Sequence, residues 1–280
     1  MRVDSFKFLP RSFQPFFASP EPLPGETDEV WTEFAPRLAE ASVALLSTGG
    51  LSCPTQAPFD ADRERREPAW GDPSWRPIRL ETLQGELAMA HLHVNPADFE
   101  RDHEVAMPLR ALDTLVAAGV VGASADEHVS VMGYQAAGLA DWQRSTAPEI
   151  VTRLRELSVD GVVIAPNCPD CCKNVPVLAR HLERAGIPTV LVTMMPDIAQ
   201  ALVTPRVVGV EFPFGHPFGP PGDAETQGRV LLTALEVLSG ATRSGTRLDI
   251  DIEWPVPARD AYRNWQPEQP SPIVAQMLKP

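Results

Sequence analysis

Three of the four cysteines fall within five residues, Cys168, Cys171 and Cys172, while Cys53 stands alone. Cysteines that staple a secreted framework are spread along the chain, so this clustering points to thiol redox chemistry or to a metal. Cys168 and Cys171 are three residues apart, close enough to form a disulfide after one has attacked a substrate and the other has resolved the adduct. They lie just after the apolar run 162–165 and just before a stretch with helical patterning. A thiol where a buried strand turns into a helix meets backbone N–H groups and the positive helix end, which favours its thiolate. Lys173 adds a positive charge beside it and Asp170 a negative one. Three readings stand at this elbow. One is a redox dithiol. Another is a zinc or Fe–S site of Cys168, Cys171 and Cys172 with a fourth ligand, and the third is a set of plain core thiols. No second CxxC adjoins it to complete a closed metal site, although the fold is able to bring in His91 or His93. No thioredoxin-type aromatic-Cys-Gly-Pro-Cys element is present.

The elements that must position these residues alternate between two patterns. Continuous apolar runs at 42–47, 129–132, 162–165, 189–193 and 207–212 read as buried strands. Residues 87–94 read as a further strand, which puts His91 and His93 on one face. Helical patterns cover 108–118, 146–157, 171–185 (interrupted or begun near Pro176) and 225–238, with glycine stops at Gly119, Gly186 and Gly240. The Pro-rich stretch 53–77 reads as a loop, and its charge run 63–67 as a solvated face. This alternation predicts an α/β fold of three layers, a mostly parallel twisted sheet with helices on both faces. The expected organisation is an extended Pro/Phe-rich arm (1–37), an α/β domain (38–245) and a C-terminal strap (246–280). Ligands of such sheets sit beyond the carboxyl ends of the strands, where the cysteine elbow falls.

Composition narrows the function classes. The chain has 280 residues, and 24 basic against 37 acidic side chains give a net charge of −13. A chain this acidic has no general attraction for nucleic acid or for anionic membrane surfaces. No apolar run is long enough to span a bilayer, and the opening residues do not read as a signal peptide, so a cytoplasmic protein is expected. Neither a P-loop nor a GxGxxG occurs, so no nucleotide or dinucleotide is expected; no cofactor is, unless a metal occupies the elbow.

Several motifs in order resemble the selenoprotein B family of glycine, sarcosine, betaine and D-proline reductases. Cys168-Pro169-Asp170-Cys171 and Leu182-Glu183-Arg184-Ala185-Gly186-Ile187-Pro188 match its redox elbow and the helix end that follows at the same spacing. Val43 to Gly50, Gly71-Asp72-Pro73-Ser74-Trp75-Arg76, His91-Leu92-His93 with Arg101-Asp102 and Pro108, and Phe212 to Gly219 resemble further family segments, so the likeness spans about 43–220. Cys168 stands where the family has selenocysteine, and its thiolate is a weaker nucleophile and leaving group than a selenolate. Asn174 stands where a third family cysteine is expected, and Cys172 is additional. The length is nearer the small subunit of D-proline reductase than the glycine reductase members. The resemblance implies a reductase acting on a small molecule, a partner subunit that supplies a pyruvoyl electrophile, and an external reductant.

On this reading Cys168 is the nucleophile and Cys171, or Cys172, resolves its adduct to a disulfide that a thiol or thioredoxin-like reductant resets. His91 and His93 serve as general acid or hold a substrate carboxylate; the plain alternative is a pair of loop-bonded histidines. Thr48, Gly49 and Gly50 are candidates for an anion-binding backbone nest. Arg76 and Asp102 are candidate substrate anchors, with surface ion pairing as the alternative, and His216 is aimed by a Gly/Pro-rich turn that is otherwise only a turn. Cys53 is a spare thiol or merely a loop residue. A homo-oligomer, with or without a second subunit, is expected.

Overall fold

The computed structural model describes residues 2–22, 26–82 and 85–278. Residues 1 and 23–25 of the expected arm and 279–280 of the expected strap lie outside the described residues.

The apolar runs pair as expected. The strands are β1 (Ser42–Ser47), β2 (Leu51–Ser52), β3 (Trp75–Arg79), β4 (Ala88–Met89), β5 (Ala123–Ser124), β6 (Glu127–Val131), β7 (Gly161–Ala165), β8 (Thr189–Thr193), β9 (Arg206–Gly209) and β10 (Thr246–Asp249). The main sheet runs β10-β9-β8-β7-β1-β6-β3, with β5 also on β1, and every pairing but β3 with β6 is parallel. Alternate residues of one strand feed two cores. Val43, Leu45, Val163 and Val190 pack on one face with the helices Leu109–Ala117 and Ala224–Gly240. Ala44, Leu46, Val162 and Ile164 pack on the other with Ala147–Glu156 and Pro176–Arg184. Burial on both faces is why these strands read as unbroken apolar runs. The α/β three-layer expectation is borne out.

Three expectations need correction. Residues 87–94 are not a strand: only Ala88 and Met89 pair, antiparallel to β2, and His91 and His93 lie in the turn that follows. The run 63–67 is not a solvated loop. Asp60 accepts the Arg63 amide at 2.8 Å and caps a helix, Ala61–Arg66, that turns Glu64 into the interior. The expected interruption of the 171–185 pattern near Pro176 is present, dividing it into the helices Pro169–Asn174 and Pro176–Arg184, because Pro176 cannot extend the first. Residues 246–249, expected in the strap, form β10 against β9.

The sheet reverses its winding at β1 and β7, which are neighbours with Val43 to Ser47 in register with Gly161 to Ala165. The chain leaving β1 returns through a helix on one face, whereas the chain leaving β7 crosses on the other. Ligands of such sheets sit where two connections part in this way. Thr48 and Cys168 follow the ends of these two strands.

Candidate active site

The elbow begins when β7 ends at Ala165. Asn167 locks the turn: its amide donates to Thr48 Oγ1 at 3.0 Å and its side-chain Nδ2 to Ser47 Oγ at 3.1 Å. Cys168 is the cap of the elbow helix Pro169–Asn174, and its Sγ accepts the Cys171 amide at 3.0 Å. Pro169 at the first helical position gives up no needed N–H. The fold therefore brings Cys168 and Cys171 together, with both sulfurs and His91 within 4.8 Å of one another and fully or almost fully buried. Gly133 makes room for them, since a β-carbon there would lie 2.6 Å from Cys171 Sγ.

His91 Nε2 lies 3.1 Å from Cys171 Sγ. The amide of His93 donates to His91 Nδ1 at 3.2 Å, so the imidazole proton sits on Nε2 and faces the sulfur. His93 Nε2 meets Glu64 Oε1 at 2.8 Å, and its ring stacks on Tyr134 with centroids 3.9 Å apart. A buried line runs from Glu64 through His93 and His91 to Cys171.

The electrostatics separate the three thiols. Burial pushes the Cys168 thiol well above the ordinary cysteine range, and its hydrogen bond to Cys171 and the Asp170 charge act the same way; the Cys171 amide only partly offsets them. The lowering expected for a thiol at a helix start is thus overcome at Cys168. Burial also raises Cys171, but the hydrogen bond from Cys168 and the His91 imidazole bring it well below its ordinary range. For His91, burial opposes the charged form, and the neighbouring Cys171 sulfur outweighs that and raises it. The two shifts run in opposite directions and favour the proton on Cys168 and the charge on Cys171. Cys172 turns away to Thr193 and Met194, and burial pushes its thiol up.

The other candidates are engaged elsewhere. The turn after β1 has no free amide: Thr48 N donates to Ala165 O, Gly49 N to Ser47 Oγ and Gly50 N to Val131 O. Thr48 touches the site instead through its carbonyl, 4.0 Å from Cys171 Sγ. Arg76 holds its own loop, donating to Ala57 O, Ser74 Oγ and Trp75 O at 2.8 Å each. Asp102 accepts from Gly222 N at 2.7 Å and Gln227 Nε2 at 2.8 Å. His216 lies between Asp98 Oδ2 at 2.9 Å and Phe214 O at 3.0 Å, edge-on to Trp254. Cys53 is half-buried near Thr82, apart from the dithiol cluster.

Sequence reasoning missed Glu64 and Tyr134. Asp60 ahead of a run of good helix formers was the available signal for Glu64. For Tyr134 there was none, because only the folded chain puts its ring against His93.

Both thiols are closed off from solvent. Two cavities flank them, one of about 860 Å³ reaching His91 and one of about 730 Å³ reaching His93, Pro169 and Asp170. The strap segment 267–278, including the helix Pro272–Met277, borders both. The strap is anchored at Trp265, whose Nε1 donates to Phe8 O at 3.1 Å. Beyond Gln266, no hydrogen bond or ion pair ties it to the body among the described residues.

The chain is similar to subunits of several reductases. It is 25% identical over 228 residues to the D-proline reductase subunit gamma of Acetoanaerobium sticklandii, covering 80% of this chain and 89% of that one. It is 27% identical over 185 residues to the betaine reductase complex component B subunit beta of Peptoclostridium acidaminophilum, covering 64% and 41%. It is 26% identical over 210 residues to the glycine reductase complex component B subunit gamma of Symbiobacterium thermophilum, covering 72% and 47%. The chain thus spans most of the first relative and under half of the other two. No family model and no solved structure matches. These reductase components are the relatives expected from the selenoprotein B motifs, so the resemblance is borne out and a reductase role is supported. No helix among the described residues is long and apolar enough to cross a membrane.

Proposed function

We propose that the chain is a thiol-dependent reductase that cleaves a carbon–heteroatom bond with the Cys168–Cys171 pair. The observation that carries this reading is the buried trio itself, with two sulfurs three residues apart and an imidazole nitrogen 3.1 Å from one of them. A proton passes from Cys168 to the Cys171 thiolate, and the charge on Cys168 is then met by the Cys171 amide. The Cys168 thiolate attacks the substrate carbon, the carbon–sulfur bond forms, and the heteroatom leaves with a proton delivered through His91. Cys171, returned to its thiolate as its proton replaces the one His91 gave up, attacks Cys168 Sγ. The sulfur–sulfur bond forms, the carbon–sulfur bond breaks, and the carbon takes a proton that comes from solvent. Two electrons pass from the dithiol to the substrate, and an external dithiol of thioredoxin type restores it. The thiols are buried and the strap borders both cavities beside them, so movement of the strap is the proposed route by which substrate reaches them. The relatives are subunits of reductase complexes, which supports a partner subunit that presents the substrate. Replacing Cys168 with Ser is expected to abolish turnover; near-normal activity of that variant would refute the assignment.

A second reading rests on the same trio. Cys168, Cys171 and His91 match a three-ligand zinc set with one open position. Cys172 has no part in it, because its side chain faces Thr193. A stoichiometric zinc in protein purified anaerobically, lost together with activity on chelation, would favour this reading.

A further inference from the structure

Of the charged side chains in the helix Ala61–Arg66, only Glu64 is buried. Its neighbours pair at the surface, Arg63 with Glu67 at 3.2 Å and Arg65 with Asp62 at 2.7 Å. Glu64 turns inward instead, and its Oε1 meets His93 Nε2 at 2.8 Å with both side chains almost closed off from solvent. A buried carboxyl–imidazole pair adds little or no stability over an apolar pair of similar volume, so stability does not account for it.

The same segment holds the His93 ring from a second side. Tyr134 stacks on that ring with the planes 27° apart, and the Tyr134 hydroxyl donates to Pro68 O at 2.7 Å. Gly71 lets the segment lie against Tyr134, since a β-carbon there would fall 1.7 Å from the Tyr134 carbonyl oxygen. His93 is thus gripped at its edge by Glu64 and on its face by Tyr134.

The grip reaches the dithiol through the backbone. The His93 amide donates to His91 Nδ1 at 3.2 Å, and His91 Nε2 lies 3.1 Å from Cys171 Sγ. The two imidazoles stand edge to face with centroids 5.5 Å apart. Because the amide already occupies His91 Nδ1, the His93 ring has no hydrogen bond through which to hand a proton to the His91 ring. Glu64 therefore acts on the dithiol by position and not as the start of a proton relay.

We infer that Glu64 is a positioning residue for His91: it holds His93 so that the His93 amide stays on His91 Nδ1 and the His91 proton stays on Nε2, facing Cys171. The inference rests on the reductase reading, in which His91 delivers that proton, and deepens it by naming what keeps the proton in place. Once the 91–93 turn is released, the proton is free to move to Nδ1, and Cys171 then faces a lone pair instead of a donor.

The test uses the reduced full-length chain, freed of metal by a chelator and isotope-labelled at histidine. Nitrogen NMR reads which ring nitrogen of His91 carries the proton, the His91 signals being those missing from His91→Gln. The unmutated chain is expected to show His91 protonated at Nε2 alone. Glu64→Leu, which fills the space but cannot bond His93, is expected to show both tautomers. Glu64→Gln, whose amide oxygen accepts from His93 Nε2, is expected to restore the single tautomer.

A rate measurement follows the consequence. Dithiothreitol attacks Cys168 Sγ of the oxidised pair, and Cys171 leaves as a thiolate that the His91 N–H meets. This reduction is expected to slow by about tenfold in Glu64→Leu and to recover in Glu64→Gln. If Glu64→Leu does not fold, the double variant Glu64→Leu with His93→Phe replaces the pair by an apolar one and carries the same expectation. A folded variant without the grip that keeps His91 protonated at Nε2 alone would overturn the inference. So would a Glu64→Gln that behaves like Glu64→Leu, which would assign the effect to charge. A chain that forms no Cys168–Cys171 disulfide refutes the reductase reading, and the tautomers still decide the inference. Normal disulfide exchange with unmoved tautomers does the reverse.

Discussion

At the scale of single residues, the site turns on where one proton sits. The His93 amide occupies His91 Nδ1, so the His91 proton must face Cys171, and the sulfur it faces is the one held below the ordinary cysteine range. Cys171 is therefore expected to react as a thiolate at a pH where a free cysteine is still protonated. Removing the imidazole takes away one of the two main influences that offset burial, so the thiol titrates higher and less thiolate remains at neutral pH. In His91→Gln the iodoacetamide reaction of the dithiol at pH 7 is expected to slow by about tenfold, the effect of one pKa unit, with its pH midpoint moved upward. An unmoved midpoint would remove His91 from this role. The cysteines and His91 were legible from residue type and spacing. Glu64, the acidic end of the line, was hidden in a charge run because its inward direction comes from the helix register that Asp60 sets.

At the scale of elements, the buried strands were legible as unbroken apolar runs and the glycine-stopped helices by their period. What was not legible was pairing that depends on a distant partner. β3 is antiparallel to β6 inside a stretch rich in proline, and β10 is a short half-buried edge strand. Between its pairings with β5 and β6, β1 uses a side chain: the Leu45 amide donates to His128 Nδ1 at 3.0 Å. That nitrogen has to keep its lone pair, and burial pushes the His128 pKa down to about 4. The unfolded chain takes up this proton below about pH 6.5, whereas the folded chain refuses it until about pH 4. Stability contributed at His128 is thus complete above pH 6.5 and lost as the pH falls through that window, by about 2–3 kcal/mol. Urea unfolding at pH 7 and pH 4.5 measures this. The acid-sensitive part is expected to disappear in His128→Asn, whose amide oxygen is also an acceptor; an equal loss in both proteins would contradict the account.

At the scale of the whole molecule, the two ends of the chain are fastened very differently. The arm is gripped by a buried network in which Arg206 pairs with Glu183 at 2.7 Å, lies 3.7 Å from the Trp31 ring centroid and donates to Thr32 O. The strap beyond Gln266 borders the two cavities that flank the dithiol, with only side-chain packing to hold it. Amides of the described part of 267–278 are therefore expected to exchange with deuterium much faster than those of β7 and β8. Core-like protection of the strap in the free chain would mean that it does not open.

The central claim is that Cys168 and Cys171 form a redox pair. It is tested most directly by counting thiols in denatured samples of the chain purified without oxygen, reduced and then mildly oxidised, with metal measured alongside. The account predicts four thiols in the reduced chain, a loss of two on oxidation from the segment holding Cys168 and Cys171, and no such loss in Cys168→Ser. Four thiols that survive oxidation, or one metal per chain that shields Cys168 and Cys171, would contradict it.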